Sequence, residues 1–306
     1  MPGMPDRPLR AGDRASPGGL DGTLARVIDL HCHSTCSDGS ETPEHVVELA
    51  AEAGCSAVAL TDHDGLGGIV AASRRADELG IGFVAGCEVS CAFSPGTMHV
   101  LCYFVDEHDP DGPLQAELGR LRQDRASRNE LLVARLAELG LPITFAEVQA
   151  AAGSTTIGRP HFASVLVANG AASSIQDAFD RYLAKGRPGY VRKARIDAAV
   201  ALDRAAGSKA VAVLAHPLSL GVEPDELERI IGELVAKGLG GIECYYGRYS
   251  PTERDGLVAI ADRFGIVATG GSDYHGTFKP DLFVGTGRGD LDVPERALNE
   301  LTARRP

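Results

Sequence analysis

His31-Cys32-His33 closes the apolar run Val27-Ile28-Asp29-Leu30 and sets two imidazoles two residues apart. Along a strand, residues i and i+2 share a face. Both rings therefore leave the strand end side by side, as two ligands of one metal ion must. The pair opens a series of polar groups, most of which follow short apolar segments. These are Asp38 in Ser37-Asp38-Gly39, His63 in Thr61-Asp62-His63-Asp64, Glu88 in Gly86-Cys87-Glu88, His99, His216 in Ala215-His216-Pro217, and Asp273 with His275 in Ser272-Asp273-Tyr274-His275. Imidazole and carboxylate without thiolate suit Zn, Mn or Fe better than a structural zinc knot. One ion cannot use so many donors, so two or three ions with a bridging carboxylate are expected. Such a cluster lowers the pKa of a bound water and clamps the oxygens of a phosphoryl group during in-line displacement.

The elements that position these groups alternate between strand and helix. Strands are expected at about 26–31, 58–61, 82–86, 99–104, 210–215, 241–244 and 266–269. Helices are expected from Thr42, a hydroxyl N-cap followed by Pro43, to about 53, and over 67–79, 224–237 and 251–264. In parallel βα barrels catalytic groups gather at the C-terminal ends of strands, where most of the series falls. His99 breaks the rule by beginning a strand-like run. Beyond about 106 the rhythm changes to a long amphipathic helix over 114–139, with Leu118, Leu121, Leu131, Leu132 and Leu136 as its apolar positions. Shorter helices follow at about 144–152, 160–169 and 175–184. The expected architecture is an α/β barrel in two parts, 26–105 and 191–306, interrupted by a mainly helical insertion over 106–190.

With 306 residues, 44% of them hydrophobic, the chain can bury a sizeable core. A formal charge of -12 argues against a surface that coats duplex DNA, and leaves room for a pocket that grips one phosphate. Seven cysteines without a paired framework fit a reducing cytoplasm and small buried hydrophobes. No window approaches a membrane span. Residues 1–25, rich in Gly, Pro, Arg and Asp, read as a disordered leader. His45, inside a helix, and His108, in a turn, read as structural. A carboxylate beside a ligating imidazole commonly orients it, the role expected of Asp64 toward His63; Asp62 reads as a turn or cap.

The order HxHSxxSDG, LTDHD, GxE, AHP and SDxH resembles the polymerase and histidinol phosphatase (PHP) family of metal-dependent phosphoesterases. The resemblance spans about 27–105 and 205–277. It implies a distorted seven-stranded (βα)7 barrel with up to three metal ions, Mn foremost and Fe or Zn as alternatives. Carried over motif by motif, it implies one ion on His31, His33, Glu88 and Asp273. A second would use Glu88 as a bridge with His99 and His216, and a third Asp38, His63 and His275. His161 is the rival to His99 in the second site.

The insertion narrows the resemblance. Gly158-Arg159-Pro160-His161-Phe162-Ala163 and Phe179-Asp180-Arg181-Tyr182-Leu183-Ala184-Lys185-Gly186-Arg187-Pro188-Gly189-Tyr190-Val191 are similar to the insert of the branch holding the 3',5'-nucleoside bisphosphate phosphatases and a related 5'-to-3' exoribonuclease. Asp38 stands where histidinol phosphatases typically carry histidine and speaks for the same branch. Arginine offers a planar fork that matches phosphate oxygens, so Arg159, with His161, Lys185 and Arg187, is a candidate substrate contact. Arg192 adds charge, and Tyr190, Tyr245, Tyr246 or Phe278 could stack a base.

The activity expected is hydrolysis of a 3',5'-bisphosphonucleotide, or of the 5' end of a short RNA, by attack of a metal-bound hydroxide. His31, His33, Glu88, His216, Asp273 and His275 form the catalytic set. The alternatives are a phosphatase for histidinol phosphate or another small sugar or cyclic phosphate, and a non-catalytic PHP binding module. The sequence leaves the oligomeric state open.

Overall fold

Seven short, mostly buried segments form one sheet in chain order: β1 (Val27–Cys32), β2 (Cys55–Leu60), β3 (Gly82–Cys91), β4 (Met98–Tyr103), β5 (Val211–Leu214), β6 (Gly241–Tyr246) and β7 (Val267–Gly271). The computed structural model describes residues 27–306 apart from 107, 110, 154–156 and 193; the leader expected over 1–25 lies outside the described residues. The sheet curls until β7 meets β1, where Asp273 N–H donates to the His31 carbonyl at 2.8 Å and His33 N–H to the Tyr274 carbonyl at 2.9 Å. That seam needs Gly271, because a Cβ there would lie 2.4 Å from the His31 amide nitrogen. The result is a nearly closed barrel.

All neighbouring pairs are parallel except β3–β4 and β4–β5. β4 therefore runs backwards, departing from a regular βα repeat. The six residues joining Cys91 to Met98 are too few for a crossover connection, so the chain makes a hairpin. Reversal also explains His99. At the start of a reversed strand it reaches the rim where the other strands end.

Around the barrel lie α1 (Pro43–Glu52), α2 (Ile69–Leu79), α7 (Ala198–Gly207), α8 (Pro224–Val235), α9 (Pro251–Phe264) and α10 (Arg296–Ala303). α7 and α10 stand outside the sequence expectations. α7 is capped by Asp197, whose side chain accepts from Ala199 N–H at 2.8 Å. α10 places Ala297 and Leu301 beneath the barrel interior, with Ile28, Leu30, Leu101 and Val213.

Between β4 and α7 come α3 (Pro113–Glu138), α4 (Phe145–Ala152), α5 (Arg159–Ala168) and α6 (Ile175–Ala178), the last running into a π-helical turn over Phe179–Leu183. They have a core of their own, built from Leu132, Leu136, Val148, Phe162 and Leu166 among others. α3 joins it to the barrel, for Leu114, Leu118 and Leu121 pack in the barrel's outer core. Its 26 residues span about 39 Å. Leu131, expected on the apolar face, is 60% exposed; the buried stripe runs 114, 118, 121, 125, 128, 132, 136 and passes it by. Among the described residues no helix is long and apolar enough to cross a membrane.

Leu118 is fully buried where α3 meets the barrel. Leu118→Ala should lower unfolding free energy by about 2–5 kcal/mol through lost burial and the cavity left behind, measured as a shift in the denaturant midpoint. A loss below about 1 kcal/mol would show that α3 does not depend on this contact.

Candidate metal centre

The nine expected ligands converge at one rim. β1 delivers His31 and His33, and the loop after it delivers Asp38. His63 follows β2, Glu88 lies late in β3, His99 opens the reversed β4, His216 follows β5, and Asp273 with His275 follow β7. Three of these loops bend through left-handed backbone at non-glycine residues: Asp64 at φ 52°, His216 at φ 27° and Asp273 at φ 57°. Such conformations cost on the order of 1–3 kcal/mol each and persist where surrounding contacts enforce them.

Several imidazoles have one nitrogen committed to an outer partner, which fixes the other. His31 Nδ1–H donates to Glu243 Oε1 at 2.9 Å and His275 Nδ1–H to the Asp273 carbonyl at 2.9 Å. Ser219 Oγ–H donates to the Thr97 carbonyl at 3.0 Å, so the oxygen is left to accept from His216 Nδ1–H at 2.8 Å. The Nε2 lone pairs of all three rings then face inward. His216 Nε2 lies 2.9 Å from Glu88 Oε1, and His275 Nε2 lies 3.3 Å from Asp38 Oδ1. Two acceptors so close repel unless a proton or a cation stands between them.

His31 Nε2, His33 Nε2, Glu88 Oε2 and Asp273 Oδ1 form a cage. Its edges measure 3.1 Å between the two histidines, 3.4 and 3.6 Å from His31 to Glu88 and Asp273, and 3.2 and 3.4 Å from His33 to the same two. Donors 3.1–3.6 Å apart can each lie about 2.1 Å from one shared ion, the usual Zn–N or Zn–O length. His99 Nδ1 and His63 Nδ1 approach the two Glu88 oxygens at 2.8 and 3.1 Å, and His33, Asp38, His63 and His275 make a further group. The donors present fit transition-metal ions.

Burial alone would push the three carboxyls up, but facing cations outweigh it. His63, His99 and His31 hold Glu88 well below the usual range, as His63 and His275 hold Asp38. Lys279, His275 and His31 do the same for Asp273. His33 moves the other way. Burial lowers its pKa, but Asp273 and Glu88 raise it to about 9. The cluster is thus a set of carboxylates that attracts positive charge.

Three supporting residues lie beyond the expected set. Glu243 on β6 is fully buried, and its second oxygen accepts from His216 N–H at 2.7 Å. Tyr246 O–H and Lys279 Nζ donate to Asp273 Oδ2 at 2.7 and 2.5 Å. An acidic residue inside the apolar segment Gly241-Ile242-Glu243-Cys244 was the available signal for Glu243. Tyr246 is thereby a partner of Asp273 and not a free stacking platform. Asp62 ties down the loop after β1, accepting from Ser34 N–H at 2.8 Å and Ser37 Oγ–H at 2.5 Å. Asp64 is turned toward β3, where it accepts from Ser90 N–H at 2.9 Å and from Arg125. It thereby holds Arg125.

The insertion leans over this rim. One cavity of about 190 Å³ is lined from the barrel by Asp38, His63 and His99 and from the insertion side by Arg125, Arg128, Arg159 and Arg195. Arg159 sits between the rings of Phe179 and Tyr190, 5.7 and 5.6 Å from their centroids, and donates to the Leu183 carbonyl. His161 is buried, accepts from Gly158 N–H through Nδ1 at 3.0 Å and packs on Phe278. It is His99, not His161, that stands beside Glu88. Lys185 and Arg187 are exposed and do not line this cavity. Tyr245 packs against the barrel cores, while His45 pairs with Glu48 at 3.0 Å on the surface.

Arg125 and Arg128 are the cations that reading the sequence missed. Both are 5% exposed. Nε and Nη1 of Arg128 have no hydrogen-bond partner among the described residues. Burial lowers the Arg128 pKa, and the neighbouring Arg125 and Arg159 lower it further. A guanidinium remains charged even so, and a buried, unpaired one is costly. An anion in the cavity would relieve that cost.

Residues 29–147 match the model of the PHP domain. The chain is 35% identical to the 3',5'-nucleoside bisphosphate phosphatase of Chromobacterium violaceum over 81% of its length and 87% of the relative's. It is 33% identical to the 5'-3' exoribonuclease Rnm of Escherichia coli, covering 83% of this chain and 87% of that protein. A solved structure from Bifidobacterium adolescentis, assigned as a metal-dependent phosphoesterase, superposes with a TM-score of 0.82 at 30% identity, over 92% of this chain and 97% of that one. The chain belongs to the PHP family and is a metal-dependent phosphoric ester hydrolase.

Proposed function

We propose that this hydrolase acts on nucleotides, removing phosphate from 3',5'-bisphosphonucleotides or trimming short RNA from its 5' end. One observation carries the reading: a wall of arginines faces a cluster of metal-type donors across a single small cavity. A nucleotide with two phosphates meets both halves, one phosphate at the donors and the other at the wall. The similarity to a bisphosphate phosphatase and an exoribonuclease supports the same substrate class.

Metal ions would lower the pKa of a water and neutralise charge on the phosphoryl oxygens. His31, His33, Glu88 and Asp273 would hold one ion. Glu88, His99 and His216 would hold a second, and Asp38, His63 and His275 a third; Mn is the proposed native metal, with Fe and Zn compatible with the same donors. Glu243, Ser219 and the Asp273 carbonyl fix which nitrogen of their histidines faces the donor cluster. Arg125, held by Asp64, and Arg128 orient the non-reacting phosphate, and Arg159 braces the cavity mouth. A cytoplasmic location is proposed with this, supported by seven free cysteines, six of them buried. Barrel segments 26–105 and 191–306 carry the chemistry in this reading, and the insertion over 106–190 selects the substrate. The negative net charge favours short substrates over duplex DNA.

Purified active protein should hold two or three transition-metal ions per chain, and a chelator should abolish phosphate release from 3',5'-bisphosphoadenosine. Active protein with less than one ion by elemental analysis would sink the metal assignment.

Asp273→Asn and His33→Ala should each lower turnover by at least about 10² while leaving the thermal melt nearly unchanged, since each removes a donor that fixes ion position. Near-normal turnover with a full metal complement would remove that residue from the centre.

Arg128→Ala should weaken capture of 3',5'-bisphosphoadenosine by about 1.5–3 kcal/mol, the worth of a hydrogen bond to a charged group. Hydrolysis of a generic aryl phosphate should change much less. Equal losses on both substrates would place Arg128 in the chemistry or the fold instead.

A further inference from the structure

The arginine wall has a second side. Arg128 and Arg195 line both the inner cavity and an open groove of about 440 Å³ on the outer flank of α3, so the two spaces share a partition of guanidinium groups. Arg192 adds a third cation to the groove, and Leu131 and Val191 supply an apolar wall. Asp124, the one acidic residue lining the groove among the described residues, is paired with Arg120 at 2.7 Å. This is a local concentration of positive charge on a chain of net charge -12. The unpartnered Nε and Nη1 of the buried Arg128 stand at the junction.

The inner cavity by itself is smaller than the roughly 300–1,000 Å³ of ordinary ligand pockets. A positively charged groove that tracks the backbone is half of the general arrangement that holds single-stranded nucleic acid, the other half being aromatic side chains on which bases stack. Here aliphatic side chains take the second place and offer a base apolar contact. Leu131 fits that part. It is 60% exposed on a helix whose other leucines, 114, 118, 121, 132 and 136, are buried.

We propose that this groove is a second subsite, taking the next nucleotide of a 5'-phosphorylated ribonucleotide chain, with Arg192 and Arg195 on its phosphate and Leu131 under its base. The proposal rests on the nucleotide reading above and deepens it. The substrate class becomes the oligonucleotide in preference to the bisphosphonucleotide, and Arg192 becomes a determinant of length.

Two measurements on the metal-loaded protein test it. The first is the ratio of kcat/KM for a 5'-phosphorylated tetraribonucleotide to that for 3',5'-bisphosphoadenosine. The wild type should favour the tetranucleotide by about tenfold or more, and Arg192→Glu should bring the ratio back toward one. The second is fluorescence anisotropy with a 3'-labelled tetranucleotide. Arg192→Ala should lower the slope of log K against log salt by about 0.7, the value for one lost phosphate contact on a single strand. Arg192 is exposed, so both variants should fold. An unchanged ratio together with an unchanged slope overturns the groove. If the wild type cleaves neither substrate, the nucleotide reading fails, and the salt slope still decides whether the groove binds a strand.

Discussion

Both oxygens of the Glu88 carboxylate, 1% exposed, are ringed by nitrogen. His99 and His216 approach Oε1 at 2.8 and 2.9 Å, and His31, His33 and His63 approach Oε2 at 3.4, 3.2 and 3.1 Å. Those five rings come from β1, the loop after β2, the start of β4 and the loop after β5, so one carboxylate joins distant parts of the chain. A buried anion of this kind is tolerable only because positive charge surrounds it. The left-handed backbone at Asp64, His216 and Asp273 and the seam at Gly271 serve that convergence. The barrel's irregularities collect where donors must meet.

A second layer makes the first specific. Glu243 touches both the His31 ring and the His216 amide, coupling the β1 and β5 ligands through β6. Asp273 is coupled in turn to Tyr246 and Lys279. None of these partners lines the cavity, yet each fixes a donor of the cluster beneath it. The insertion adds charge of the opposite sign, so the cavity is polarised between Asp38, with the buried donor cluster behind it, and the guanidiniums on its wall. A phosphate ester with an attached ion fits such a field far better than a neutral molecule would.

Much of this was legible in the chain itself. The HxH pair and the acidic and imidazole groups after apolar runs point to the cluster of donors at the rim, because strand periodicity and rim placement are local rules. His99 resisted those rules until β4 proved to be reversed, a fact about pairing that no single strand encodes. The arginine wall was legible in principle, for 125 and 128 occupy the buried stripe of α3 where leucine is otherwise found. Charge in an amphipathic helix is normally assigned to solvent, and Leu131 drew the eye to the wrong face. Lys185 and Arg187 show the converse, since cations near a similar motif lie on the surface.

The reversal of β4 also sets where α3 begins. Strand β4 leaves the chain at the barrel floor, where Leu114 N–H meets Ser208 Oγ just ahead of β5. From Pro113 the helix needs about 18 Å, twelve residues, to climb to the level of Arg125, and there Asp64 meets it. α3 thus works as a caliper, its rise matched to barrel height and its angular phase matched to the cavity. Because each residue turns the helix by about 100°, one residue added or removed ahead of Arg125 would swing its guanidinium away from Asp64. The reach of the arginine wall is therefore inherited from the height of the barrel beneath it.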